Sequence, residues 1–246
     1  MTKDFTDGNT GEVEVRLTCN TGLPLIQKFI IAEGEPVNFV VENFEPGTMD
    51  CRVEEITAGT TGYTTSYAAS AIDGTADAIR SEADGCFYDL IEGGAFACAL
   101  TNTLDPVEVV VSKEWVGDVE QIEAAVGLQA SASYSCYDVL TAPDGVLTTA
   151  QGSLFFSGNS TDTIGGLYPW WNGSPYCVIS ETGVDSSVES DDSDCASVPI
   201  APGLDGACTI VNTMFFEGIP TLNRYGLILL ALLMLGVGAI GFRRYA

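Results

Sequence analysis

The residues whose type and spacing most plainly carry chemistry are eight cysteines: Cys19, Cys51, Cys86, Cys98, Cys136, Cys177, Cys195 and Cys208. None stands in a Cys-x-x-Cys pair, and the chain has no histidine, so a zinc centre is not expected. An even count in an acidic, turn-rich chain predicts disulfides made outside the cytoplasm. The short spacings Cys86 to Cys98 and Cys195 to Cys208 point to local pairs, leaving Cys19 with Cys51 and Cys136 with Cys177. Four cysteines per half still permit three connectivities.

Two further groups are candidates for binding. The acid-rich run Asp185–Asp194, with Asp185, Asp191, Asp192 and Asp194, offers the oxygen ligands that calcium prefers. It lacks the spacing and central glycine of an EF-hand, so a solvated loop is the expectation and no metal is assigned. Tyr168, Trp170 and Trp171 form an aromatic cluster suited to a glycan or a partner surface, or to capping a sandwich end. No catalytic residues and no cofactor are expected. Without histidine there is no Ser-His-Asp or Cys-His centre, and no phosphate loop or nucleophile elbow is present. The net charge of −25, from 9 basic and 34 acidic residues, disfavours nonspecific binding to nucleic-acid phosphates, and no nucleic-acid partner is expected.

The cysteines also expose a duplication. Ala97-Cys98-Ala-Leu-Thr-Asn102-Thr-Leu104 matches Ala207-Cys208-Thr-Ile-Val-Asn212-Thr-Met214, and Cys51-Arg-Val-Glu-Glu55 matches Cys177-Val-Ile-Ser-Glu181. The elements that position these segments read as strands. Val13–Cys19 alternates apolar and polar residues, as do Val37–Phe44, Cys51–Ile56 and Val107–Trp115. Further strands are expected at Ser131–Val139, Ser153–Ser157, Thr161–Gly165, Tyr176–Glu181 and Ala207–Thr213. Helix is expected only at Gln121–Val126 and Ala76–Ala83. The fold class is all-β: two tandem antiparallel β-sandwich modules, at 1–105 and 106–217, followed by a C-terminal segment at 218–246 with one transmembrane α-helix over 225–242. Pro106 marks the boundary. The first module has no evident counterpart of Val107–Trp115, and Met1–Gly8 has no apolar export signal. Both features predict that the chain begins inside a longer protein.

The apolar run Tyr225–Phe242 is about long enough to cross a bilayer. Arg243 and Arg244 follow it and predict a cytoplasmic C-terminus, with the modules outside. Just upstream, Ile219-Pro220-Thr221-Leu222, then Tyr225-Gly226, resembles the IPTL-type C-terminal sorting signal of Gram-negative surface proteins, with Tyr225 where that family has Trp. The resemblance implies recognition by an exosortase-type sorting enzyme, cleavage near the motif and transfer of the modules to the cell surface. The modules resemble prealbumin-like or Cna-B-type sandwiches through the Val107–Trp115 strand and the closing Cys-x-x-x-Asn-Thr-Leu/Met. For some relatives that resemblance implies Lys–Asn isopeptide bonds. Lys113 and Asn212 are suitably placed, but the first repeat shows no matching lysine and disulfides already staple the modules, so none is expected. The overall expectation is a non-enzymatic, exported, structural or adhesive surface protein, its partners the membrane, the sorting enzyme and a surface polysaccharide or matrix. The alternative is a secreted calcium- or glycan-binding module on a plain membrane anchor.

Overall fold

The computed structural model describes residues 1–45, 51–56, 61–72 and 79–214. In the first repeat the strands are β1 (Thr2–Phe5), β2 (Val13–Cys19), β3 (Ile26–Ile31), β4 (Cys51–Glu55), β5 (Tyr63–Ala71), β6 (Ile79–Glu82), β7 (Gly85–Tyr88) and β8 (Phe96–Leu104). They form one sheet in the order β1-β8-β5 and a second in the order β3-β2-β4-β7-β6. Alternation drives the packing. On β2, Val13, Val15, Leu17 and Cys19 all face inward and are buried, while the residues between them are partly exposed.

The second repeat has β9 (Val107–Val116), helix α1 (Val119–Val126), β10 (Gln129–Leu140), β11 (Leu147–Ser157), β12 (Ser160–Pro169), β13 (Tyr176–Thr182), β14 (Val188–Asp191), β15 (Val198–Pro199) and β16 (Gly206–Met214). The strand order is β14-β16-β9-β12-β10-β13-β15, with β11 on the free side of β10. β10 and β12 meet only at Val139–Pro169 and Leu140–Tyr168, so this ladder folds into two facing layers around a single core. Asp118 caps α1 by accepting from Gln121 N, and Ile122 anchors the helix in the interior.

Every strand pairing among the described residues stays within one repeat. The repeats touch where Gly62 meets Pro202 and Gly203. A Cβ on Gly62, at φ 84°, would come within 2.1 Å of Gly203 N, so only glycine fits there.

Four sequence expectations need correction. The first repeat does have its opening strand. β1 runs parallel to β8, with Lys3 opposite Leu100, as β9 runs parallel to β16, with Lys113 opposite Ile210. The segment looked too polar because Lys3 itself is an inward residue. Among the described residues each repeat therefore contains a parallel pair, and the sandwiches are mixed rather than purely antiparallel. Val37–Phe44 is not a strand. It contributes the Leu23–Glu42 bridge, and Phe39 and Val41 pack against the core from a loop. Ile79–Glu82, expected as part of a helix, is strand β6; its Arg80 and Phe87 are register partners. The expected membrane helix over 225–242 lies outside the described residues, and no described helix is long and apolar enough to cross a membrane.

Candidate functional site

Strand parity places three polar side chains inside the second sandwich. On β9 the inward series Val107, Val109, Val111 continues to Lys113 and Trp115. On β16 the inward series is Cys208, Ile210, Asn212, and on β13 it is Cys177, Ile179, Glu181. Lys113 Nζ donates to Glu181 Oε2 at 3.0 Å, and Asn212 Nδ2 donates to Glu181 Oε1 at 2.9 Å. One carboxylate thus bridges an amine and a carboxamide. The Lys113 and Glu181 side chains are 0% and 4% exposed. Burial lowers the pKa of the Lys113 ammonium, and the Glu181 hydrogen bond opposes that. Ser190 Oγ also contacts Glu181 Oε2, from β14, where Ser190 is the register partner of Asn212.

The first repeat carries the same trio. Lys3 and Asn102 are buried, and Asn102 Nδ2 reaches Glu55 Oε1 at 3.4 Å. Lys3 Nζ donates to Asp4 O at 3.0 Å and lies 3.3 Å from the centroid of the Phe5 ring. Desolvation pushes Lys3 down to about 8, against the pull of Glu55 and, less strongly, of Asp4, Glu33 and Asp7. The first repeat therefore has the lysine that sequence reading denied it. A signal was available: Lys3 to Lys113, Cys98 to Cys208 and Asn102 to Asn212 share one offset, and Glu55 and Glu181 each stand four residues after a cysteine.

A buried amine, a carboxamide and a carboxyl, which in the second repeat bridges the other two, are the components of an amide exchange. They sit between the first and last strands of each repeat.

The other candidate residues are placed as follows. Four disulfides join Cys19–Cys51, Cys86–Cys98, Cys136–Cys177 and Cys195–Cys208. The first and third link directly opposed residues on neighbouring strands. The four aspartates of the acid run accept hydrogen bonds from serine and backbone donors. Asp185 accepts from Ser187, Asp191 from Ser193, Asp192 from Ser180 and Glu181 N, and Asp194 from Thr209 N. The Asp192 bonds brace the strand that carries Glu181, and no metal-binding group of acids is found among the described residues. Tyr168, Trp170 and Trp171 are half-buried, with Trp170 N donating to Asp138 O at 2.9 Å. Ile219, Pro220, Thr221, Leu222, Tyr225, Gly226, Arg243 and Arg244 lie outside the described residues.

Residues 218–245 match the IPTL-CTERM motif. That segment is the part of the chain where Ile219–Leu222, the apolar run and the terminal arginines follow in order. No curated protein matches the chain. Among solved structures, a point mutant of the major pilin from Streptococcus pyogenes is similar at 13% identity and TM-score 0.33, covering 87% of this chain and 97% of that one. A Mobiluncus mulieris adhesin, described as containing intramolecular disulfide, isopeptide and ester bond cross-links, is similar at 10% identity and TM-score 0.30. It covers 85% of this chain and 87% of its own.

Proposed function

We propose that this chain is an exported cell-surface structural protein whose two sandwich modules are cross-linked internally by a lysine–asparagine amide, in addition to their disulfides. The observation that carries the reading is Glu181, which holds Lys113 Nζ on one oxygen and Asn212 Nδ2 on the other in a buried core.

The chemistry balances without a cofactor. Glu181 takes a proton from Lys113, and the freed amine lone pair attacks Asn212 Cγ. Glu181 passes that proton to Nδ2 and takes the second proton from the attacking nitrogen, the Cγ–Nδ2 bond breaks, and ammonia leaves, carrying the remaining proton away as ammonium, as the neutral Lys113–Asn212 amide forms. Low polarity around Lys113 favours the neutral nucleophile. The bond ties β9 to β16, the strands by which the second module enters and leaves the chain. Pull applied along the chain is then borne by a covalent bond rather than by ladder hydrogen bonds. Lys3, Glu55 and Asn102 serve the first module in the same way.

The IPTL-CTERM segment supports export and processing. In this reading the segment inserts with its arginines in the cytoplasm of a Gram-negative cell, an exosortase-type enzyme cleaves near Ile219–Leu222, and the modules pass to the surface, where polysaccharide or matrix is their contact. Intact-mass measurement of the purified full chain tests the cross-links. The expected mass is lower than that of the disulfide-bonded sequence by one ammonia per bond. A mass accounted for by disulfides alone overturns them.

A further inference from the structure

Two buried polar atoms beside the second cross-link have no hydrogen-bond partner among the described residues: Trp115 Nε1 and Asn212 Oδ1. One is a donor only and the other an acceptor. They belong to register partners on the parallel β9–β16 pair, and both residues line a cavity of about 470 Å³ that Glu181 also lines. The Trp115 ring centroid is 5.3 Å from Lys113 Nζ, so the indole is packed against the attacking amine. Its backbone is fixed by a 2.7 Å bond from Trp115 N to Asn159 Oδ1. Unsatisfied buried groups are rare in folded proteins and call for an explanation, and a complementary pair at a reacting centre has a chemical one.

We infer that the Trp115 indole N–H is the oxyanion donor for amide exchange at Asn212, and that Phe5 in the corresponding position makes the first module the slower of the two to cross-link. The inference rests on the cross-link reading above. When Lys113 Nζ attacks Asn212 Cγ, the carbonyl electron pair moves onto Oδ1. The negative charge appears on the atom that lacks a partner in the ground state. A donor that meets it only then lowers the barrier, because it favours the transition state over the reactant. When the oxyanion collapses, the pair returns to the carbonyl and ammonia departs with the proton from Glu181. In the first repeat the register partner of Asn102 is Phe5, and Asn102 Oδ1 is again unpartnered. A phenyl ring has no N–H to offer.

The test is a time course of the full chain made by cell-free synthesis under oxidising conditions. Intact mass counts ammonia losses, and peptide mapping assigns each amide. In the wild type the Lys113–Asn212 amide is expected before the Lys3–Asn102 amide. Trp115→Phe keeps the ring over Lys113 and removes the N–H. It should slow the second module on the order of 10²-fold, as loss of a single oxyanion donor does, without changing the first. Phe5→Trp should accelerate the first module. Formation of the Cys195–Cys208 disulfide at the wild-type rate in Trp115→Phe shows that the module folds. Cross-linking of Trp115→Phe at the wild-type rate, or a first module as fast as the second in the wild type, overturns the inference while leaving the cross-links standing. If the wild type never loses ammonia, the cross-link reading fails and the oxyanion role fails with it.

Discussion

Lys113 Nζ lies 3.0 Å from Glu181 Oε2, with both side chains sealed from solvent inside the second sandwich. A buried ion pair of this kind seldom repays its own desolvation, so it is weak evidence for stability and better evidence for chemistry. The expected outcome for Glu181→Gln is loss of the Lys113–Asn212 amide while the first module still reacts. Because the variant leaves an unpaired buried ammonium, it should also lower stability by about 3–5 kcal/mol. Intact mass reads the first effect and a urea midpoint the second.

Lys3 gives a pH signature when its bond is prevented. It titrates at about 8 in the folded chain against 10.5 unfolded. Between those values the unfolded chain holds the extra proton, so this group makes stability rise with pH. Below about 8 both states are protonated and the burial penalty is present in full; above 10.5 it is gone. Asn102→Ala blocks the amide and should therefore gain stability from pH 8 to 10.5, relative to the Lys3→Met/Asn102→Ala double variant. Parallel denaturant curves for the two would contradict the assignment.

The Cys195–Cys208 disulfide closes a separation of 13 residues, and both sulfurs are buried beside the second core. Replacing both with alanine should cost about 2–4 kcal/mol. Because Cys208 lies on the strand that presents Asn212, the variant should also cross-link more slowly at that position. An unchanged melting temperature would show that the amide alone holds β16 in place.

Processing of the tail is expected to depend on the motif rather than on apolarity. Pro220→Ala with Thr221→Ala leaves the apolar run intact, so membrane insertion should persist. Release or transfer of the modules should stop, with the full-length form accumulating in the membrane of the native host. A blot showing the variant shortened like the wild type would leave a plain anchor as the better reading.

Much of the sandwich was legible because a buried strand writes its parity into the sequence. Val13–Cys19 and Val107–Val116 alternate so regularly that pattern alone places them. The repeat was legible too, because cysteine and asparagine recur after a fixed hydrophobic frame. Where pattern failed, a polar residue stood on an inward position or an apolar one on a loop. Lys3 made Met1–Phe5 look like a solvated end, and Phe39 and Val41 imitated a strand while packing from irregular backbone. In both cases hydropathy reported burial, and burial is not ladder pairing.

The sequence by itself determined the mainly-β character, the recurring segments, the cysteine spacings and the sorting motif, since each rests on composition or on spacing along the chain. What only the tertiary structure decided is which side chains share an interior. Lys113, Glu181 and Asn212 come from β9, β13 and β16, distant in the chain, and strand parity turns all three inward. The closing contact is made by the parallel pairing of first and last strands, which brings Lys113 beside Ile210 and Trp115 beside Asn212. No local pattern encodes that register. It is fixed by the packing of two sheets around one core, and the chemistry of the cluster exists only once that core has formed.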